Sequence, residues 1–382
     1  MELKKKILGF DYILFIIVCA LSIFGIIVIG SARHIYQDGF TEAKRQQMWF
    51  IAGLIMLIIT SFINHKFIAK LFCFAYILNI GLLVAVLFVG NTMQNADVTR
   101  ALPIGPILIQ PSEFAKIFMI IYMAGFIGRF SDKINNFFVL SFLVLSILIP
   151  TVLVQMQPSM SASLVVLTIS LIMIYLGGVS YKYVLGLASI VLPLGAIFIT
   201  DVLRENPLFV NKIPVLRNYH IQSRIIPYIR PDLASVDDLR QTMQSVSAIG
   251  SGQLTGKGLY NGTVNQLSYL AENHNDFIFA VIGEEFGFIG CVIVIIVMFL
   301  LILRCMMIAY RADNLVGKLI ASGVGFLFAF QTFVNIGVAT NLLPNTGMAL
   351  PLISYGGSSM LVSMISIGLV INVGMNKQKP LL

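Results

Sequence analysis

Apolar residues run in blocks of roughly 20 along almost the whole chain, separated by short polar segments, and a helix of that length crosses the hydrocarbon core of a bilayer. Candidate crossings lie near 10–30, 48–63, 67–90, 113–128, 137–155, 161–177, 183–200, 277–303, 315–341 and 351–374, with Pro150 and Pro158 interrupting the fifth and sixth. The pattern predicts an all-α integral membrane protein of about ten transmembrane helices, a single polytopic membrane domain over 1–382. Composition agrees. Hydrophobic residues make up 58% and charged residues 11%, against ~25% charged in soluble domains. Lys4, Lys5 and Lys6 precede the first apolar block, which lacks a small-residue cleavage site and is therefore expected to be retained as a helix.

Lys and Arg in short loops set orientation, because they are retained on the cytoplasmic side. With the N-terminus inside, Lys66, Lys70, Arg129, Lys133, Lys182, Arg304, Arg311, Lys318, Lys377 and Lys379 join the N-terminal lysines in the cytoplasm. The short outer loops keep only Arg33, Lys44, Arg45 and Arg100. Both termini are then expected to be cytoplasmic, and the net charge of +8 reads as a topology signal that needs no nucleic-acid partner. Residues 201–275 form a large extracytoplasmic loop between helices 7 and 8, too long for a plain connector. Within it, Asp237–Ile249 has helical apolar spacing suited to a helix on the membrane surface, followed by a turn with Gly250, Gly252, Gly256 and Gly258. That turn is not a phosphate loop, since Gly258 stands where Ser or Thr should follow Lys257. Cys19, Cys73, Cys291 and Cys305 lie in or beside apolar runs, without disulfide or zinc spacing.

Charge at membrane depth is costly and marks candidate chemistry unless a partner neutralises it. Glu113 and Lys116 are three apart at the outer end of the fourth helix, suiting both an internal ion pair and a substrate contact. Arg45 and Arg100 stand at outer membrane edges, where each can anchor a helix or bind an anion. Asp276, just before the eighth helix, can cap it, take a proton from a hydroxyl, or hold a divalent cation. Glu284 and Glu285 lie deeper in that helix and suit interhelical hydrogen bonds. Arg204, Arg217, Arg224, Arg230 and Arg240 give the long loop a guanidinium set fit for pyrophosphate or for anionic headgroups. The stretch Leu343–Ser359 carries two prolines and three glycines between apolar runs. Such irregular backbone at membrane depth belongs beside a polar cavity.

Taken in order, Gln110-Pro-Ser-Glu-Phe-Ala-Lys116, Ala248-Ile-Gly-Ser-Gly252, His274-Asn-Asp-Phe-Ile-Phe279, Gly283-Glu-Glu285, Pro344-Asn-Thr-Gly347 and Ile353-Ser-Tyr-Gly-Gly-Ser-Ser359 resemble the SEDS family of shape, elongation, division and sporulation proteins, which includes RodA, FtsW and SpoVE. The resemblance spans nearly the whole chain. It departs from the family pattern at Ala101, where Trp is usual, at Ser159, where an acid is usual, and at Ala271, where Pro is usual.

The resemblance implies a peptidoglycan glycosyltransferase of the bacterial cell membrane that polymerises lipid II into glycan strands, in a RodA-like elongation role. It works beside a class B penicillin-binding protein that crosslinks the strand. By the same resemblance Asp276 is the catalytic residue, with a metal-ligand role open, and Arg45, Arg100, Glu113 and Lys116 are substrate-binding. Arg224 from the loop's guanidinium set and Ser354 from the irregular stretch are expected to bind substrate as well. A divalent cation, Mg2+ or Mn2+, is expected, and no organic cofactor. Two other functions fit the same residues. One is a flippase moving lipid II, suggested by broken helices and buried charge. The other is a noncatalytic scaffold for the penicillin-binding protein, with Asp276 only a cap.

Overall fold

The computed structural model describes residues 9–34, 40–89, 91–92, 99–104, 107–157, 159–183, 185–186, 189, 193, 200, 228–229, 236–266 and 273–376. Helix α1 (Tyr12–Arg33) begins where the Asp11 carboxylate accepts from Leu14 N at 3.0 Å. Helix α2 (Thr41–Phe62) returns to a short α3 (His65–Lys70), capped by Asn64, and to α4 (Phe72–Val89). A small antiparallel sheet follows, β1 (Asn91–Thr92), β2 (Thr99–Ile104) and β3 (Ile107–Ile109), with Leu102 paired to Ile109. It delivers the chain to α5 (Pro111–Arg129), where Pro at the first helical position suits a site whose N–H needs no partner.

Helices α6 (Phe137–Met156) and α7 (Met160–Leu176) form the next pair. A helix forms over the expected Asp237–Ile249 as α8 (Val236–Ser251), and the one-turn α9 (Thr263–Gln266) follows. Helices α10 (Ile278–Tyr310), α11 (Leu315–Ala339) and α12 (Gly357–Met375) complete the bundle.

Eight of these helices are long and apolar enough to cross a membrane, and α7 is a shorter apolar helix. The span expected at 183–200 lies almost wholly outside the described residues, as do 201–227 and Arg224 with them. Helices α5, α11 and α12 are mostly buried and form the centre. Helices α2, α4 and α6 are largely exposed and present side chains such as Ile77, Phe88 and Phe138 outward, as lipid-facing helices do. The chain is a multi-pass membrane protein.

Helix α10 is broken near its start, where Gly287 takes φ 64°. The backbone groups freed there are satisfied by the glycine turn after α8. Lys257 N and Gly258 N donate to Glu284 O and Glu285 O, both at 3.0 Å. Phe288 N and Ile289 N donate to Gln253 O at 2.8 Å and Leu254 O at 3.1 Å. A Cβ on Gly256 would collide with the Glu285 carbonyl, so the turn needs glycine there to come this close.

Candidate active site

The first turns of α5, α7 and α12 and the segment preceding α10 meet at one end of the bundle, around a cleft of about 1000 Å³. Each helix start carries a partial positive charge from its unpaired N–H groups, so together they favour a bound anion. Helix α2, packed against α12, also lines the cleft with Arg45, Met48, Trp49 and Ala52.

Glu113, in the first turn of α5, and Lys116 one turn on both line the cleft. The Lys116 ammonium donates to Glu113 Oε1 at 2.6 Å, and its side chain is only 4% exposed. The i,i+3 ion pair expected from the sequence therefore exists, and it faces the cavity. Asp276 is half-buried in the turn before α10 and lines the same cleft, as does exposed Arg45. Four of the expected site residues, Asp276, Glu113, Lys116 and Arg45, are thus brought together.

The others are placed differently. Arg100 lies in β2, one residue before buried Ala101, and its side chain is outside the described residues. Arg224 is outside them altogether. Ser354 sits behind the cleft wall rather than in it. Its hydroxyl donates to Asn275 O at 2.7 Å and accepts from Leu350 N at 2.8 Å. Arg240 is on α8 and exposed.

Ser159, standing where the resembled family has an acid, lines the cleft with Ser161, whose hydroxyl donates to Gly347 O at 3.1 Å. The irregular stretch from Leu343 onward does border the cavity, through Gly347, Met348, Ala349 and Tyr355. Glu284 and Glu285 are buried, as interhelical groups should be. Glu284 Oε1 accepts from Lys257 Nζ at 2.7 Å and Val264 N at 2.9 Å, and Glu285 Oε1 from Ser31 Oγ at 2.6 Å.

Trp49 and Gln331 are among the lining residues that escaped the sequence reading. Trp49, the chain's single Trp, packs against Gly357, where any Cβ would strike its indole. Gln331 lines the cleft from α11, one turn before fully buried Asn335. A Gln and an Asn four apart in a largely apolar helix were a usable signal, because both fall on one face.

Among the described residues no three His, Cys, Asp or Glu side chains cluster as a ready metal cage. Asp276 lines the cleft. Mg2+ commonly binds through one or two carboxylates together with substrate phosphates, and this donor set fits that mode.

The family model for FtsW, RodA and SpoVE, described as cell cycle protein, matches residues 11–379. The chain is 32% identical over 381 residues to "Probable peptidoglycan glycosyltransferase FtsW" of Geobacter sp. (strain M18), covering 97% of this chain and 98% of that one. It is 34% identical over 371 residues to "Peptidoglycan glycosyltransferase MrdB" of Escherichia coli K12, covering 95% and 93%. Among solved structures it superposes with TM-score 0.78 at 26% identity on a chain described under structural coordination of polymerization and crosslinking by a peptidoglycan synthase complex, covering 97% of this chain and 99% of that one. The rod shape determining protein RodA of Thermus thermophilus matches with TM-score 0.67 at 25% identity, covering 97% and 98%.

Proposed function

The chain belongs to the FtsW, RodA and SpoVE family of cell cycle proteins, and from that premise we propose that its cleft polymerises lipid II on the outer face of the cell membrane. It is a peptidoglycan glycosyltransferase. The observation that carries the reading is the convergence of Asp276, Arg45 and the Glu113–Lys116 pair on one cleft ringed by helix N-termini. A carboxylate able to take a proton thus stands beside a positive field suited to a departing pyrophosphate.

In this reading the 4-hydroxyl of an acceptor GlcNAc attacks the anomeric carbon of the donor MurNAc. The C1–O bond to phosphate breaks, undecaprenyl pyrophosphate leaves with the electron pair, and Asp276 takes the hydroxyl proton. Lys116, Arg45 and the starts of α5, α7 and α12 stabilise the charge that grows on the leaving group. Glu113 holds the ammonium in place. Arg100 and Arg224 belong to the proposal as further phosphate contacts. A divalent cation, Mg2+ or Mn2+, would be held by Asp276 and would supply charge neutralisation for the phosphates.

The Lys and Arg distribution supports an orientation with both termini cytoplasmic, which would put the cleft outside. A class B penicillin-binding protein is the partner this reading implies, supported by similarity to a chain of a peptidoglycan synthase complex. The elongation role is the finer part of the proposal, since the relatives carry both FtsW and MrdB names. Depletion should give round cells if the chain serves elongation and filaments if it serves division.

Purified protein in liposomes with lipid II and Mg2+ should make long glycan strands, and Asp276→Asn should make none while keeping its melting temperature. An active Asp276→Asn protein would remove this carboxylate from the mechanism. Labelled lipid crossing the bilayer without any polymer would instead favour the flippase reading, and polymer only with the partner's own activity the scaffold.

A further inference from the structure

Three consecutive carbonyls of the turn that carries Asp276 are held by donors from α11 and from the segment before α12. His274 O accepts from Tyr355 N at 2.9 Å, Asn275 O from Ser354 Oγ at 2.7 Å, and Asp276 O from Asn335 Nδ2 at 2.8 Å. Asn335 is fully buried on α11, and the same Nδ2 also donates to Met348 O at 2.7 Å. Both N–H bonds of one amide are therefore spent on two cleft-lining segments distant in sequence, those of Asp276 and Met348. The amide Oδ1 has no hydrogen-bond partner among the described residues. Turned over, the amide would set that oxygen against two carbonyl oxygens, so only one orientation is tenable.

We propose that Asn335 is a positioning residue for Asp276, its amide fastening the Asp276 turn to the Met348 wall, with the Ser354 hydroxyl as a second fastener one residue earlier. The inference rests on the reading of Asp276 as the group that takes the acceptor's proton. A buried Asn in a membrane helix is costly unless its donors are used, and here they are used on the backbone that aims the carboxylate. Catalytic rates are sensitive to such aim, since a displacement of about 1 Å costs about 100-fold. Neither side chain touches the cavity through its own polar atoms, so substrate affinity should be nearly indifferent to them.

The test compares wild-type, Asn335→Leu and Ser354→Ala proteins in liposomes with fluorescent lipid II, reading kcat and KM separately, together with amide hydrogen exchange over 273–278. For Asn335→Leu we expect kcat to fall by about 30- to 100-fold with KM within about twofold, and exchange over 273–278 to accelerate. Ser354→Ala should show the same split at about tenfold. The proposal is overturned by a folded Asn335→Leu protein whose kcat stays within about threefold of an active wild type, by a KM that rises as much as kcat falls, or by unchanged exchange over 273–278. If Asn335→Leu fails to fold, Ser354→Ala decides by the same criteria. Accelerated exchange in a protein whose wild type makes no glycan upholds the fastening and overturns only the polymerase reading.

Discussion

The Lys116 ammonium lies 2.6 Å from Glu113 Oε1 across one turn of α5, at the wall of the cleft that also holds Asp276. Glu113 is thereby already matched to a cation, and Asp276 lines the same cavity from the turn before α10. Breaking the pair from either end strands a charge. Lys116→Met should lower stability by about 1–3 kcal/mol, between the values for exposed and for buried pairs, because Glu113 still reaches the cleft. Glu113→Gln with Lys116→Met should recover that stability without recovering polymerisation. Melting temperature and glycan yield, measured on the same samples, separate the two effects.

Trp49 gives an internal optical probe, as the only Trp in the chain. A Cβ at position 357 would collide with its indole, so Gly357→Ala should push the ring from the cleft wall. The expected result is a shifted fluorescence maximum, a stability cost of about 1–3 kcal/mol and reduced glycan synthesis. An unchanged spectrum would mean that the ring is not seated on this glycine.

Glu284 is fully buried and depends on Lys257 for its countercharge, with Val264 N and Thr263 Oγ1 as neutral donors. Lys257→Met leaves that carboxylate short of its cation, a loss of about 3 kcal/mol for a pair buried on one side. Limited proteolysis should then cut near the glycine turn faster than in wild type, and Lys257→Met with Glu284→Gln should regain protection.

At the opposite end of the bundle His65 bonds Asn372 Oδ1 through both its backbone N, at 2.8 Å, and its ring Nδ1, at 2.9 Å. Burial holds the imidazole below its usual pKa, and nearby Lys66 adds to this, against the hydrogen bonds from Asn372 and Asn314. The folded state thus binds a proton less readily than the unfolded state. Stability is full above about pH 6.5, the unfolded value, and declines as pH falls through it. Thermal unfolding between pH 7.5 and 5.5 should show this loss in wild type and less of it in His65→Gln.

Lipid-facing segments were legible because hydropathy reports contact with hydrocarbon. The starts of two helices were not, for the same reason. Helix α2 begins at Thr41, before the apolar block near 48, since its first turns are polar and Arg45 belongs to the cleft. Helix α12 begins only at Gly357, because Pro351 and the left-handed Leu352 (φ 67°) keep the preceding apolar residues in turns. The three-stranded sheet after α4 was missed outright: in Thr99–Ile109, Pro103, Gly105 and Pro106 mask any alternation that would mark strands. For the site, charge type and spacing pointed to Asp276, Glu113 and Lys116. The seating of Trp49 on Gly357 joins residues far apart in the chain and leaves no local pattern to read. Ser354 shows the reverse case, a motif residue whose hydroxyl serves the backbone behind the wall.

The break in α10 has a consequence for how the enzyme can be re-engineered. Because Gln253–Gly258 completes the ladder of a different helix, it behaves as an integral splint and cannot serve as a tether. An epitope or fluorescent domain spliced between Gln253 and Gly258 should orphan four main-chain groups at once and abolish expression. The same cargo placed ahead of Val236 leaves that splint whole.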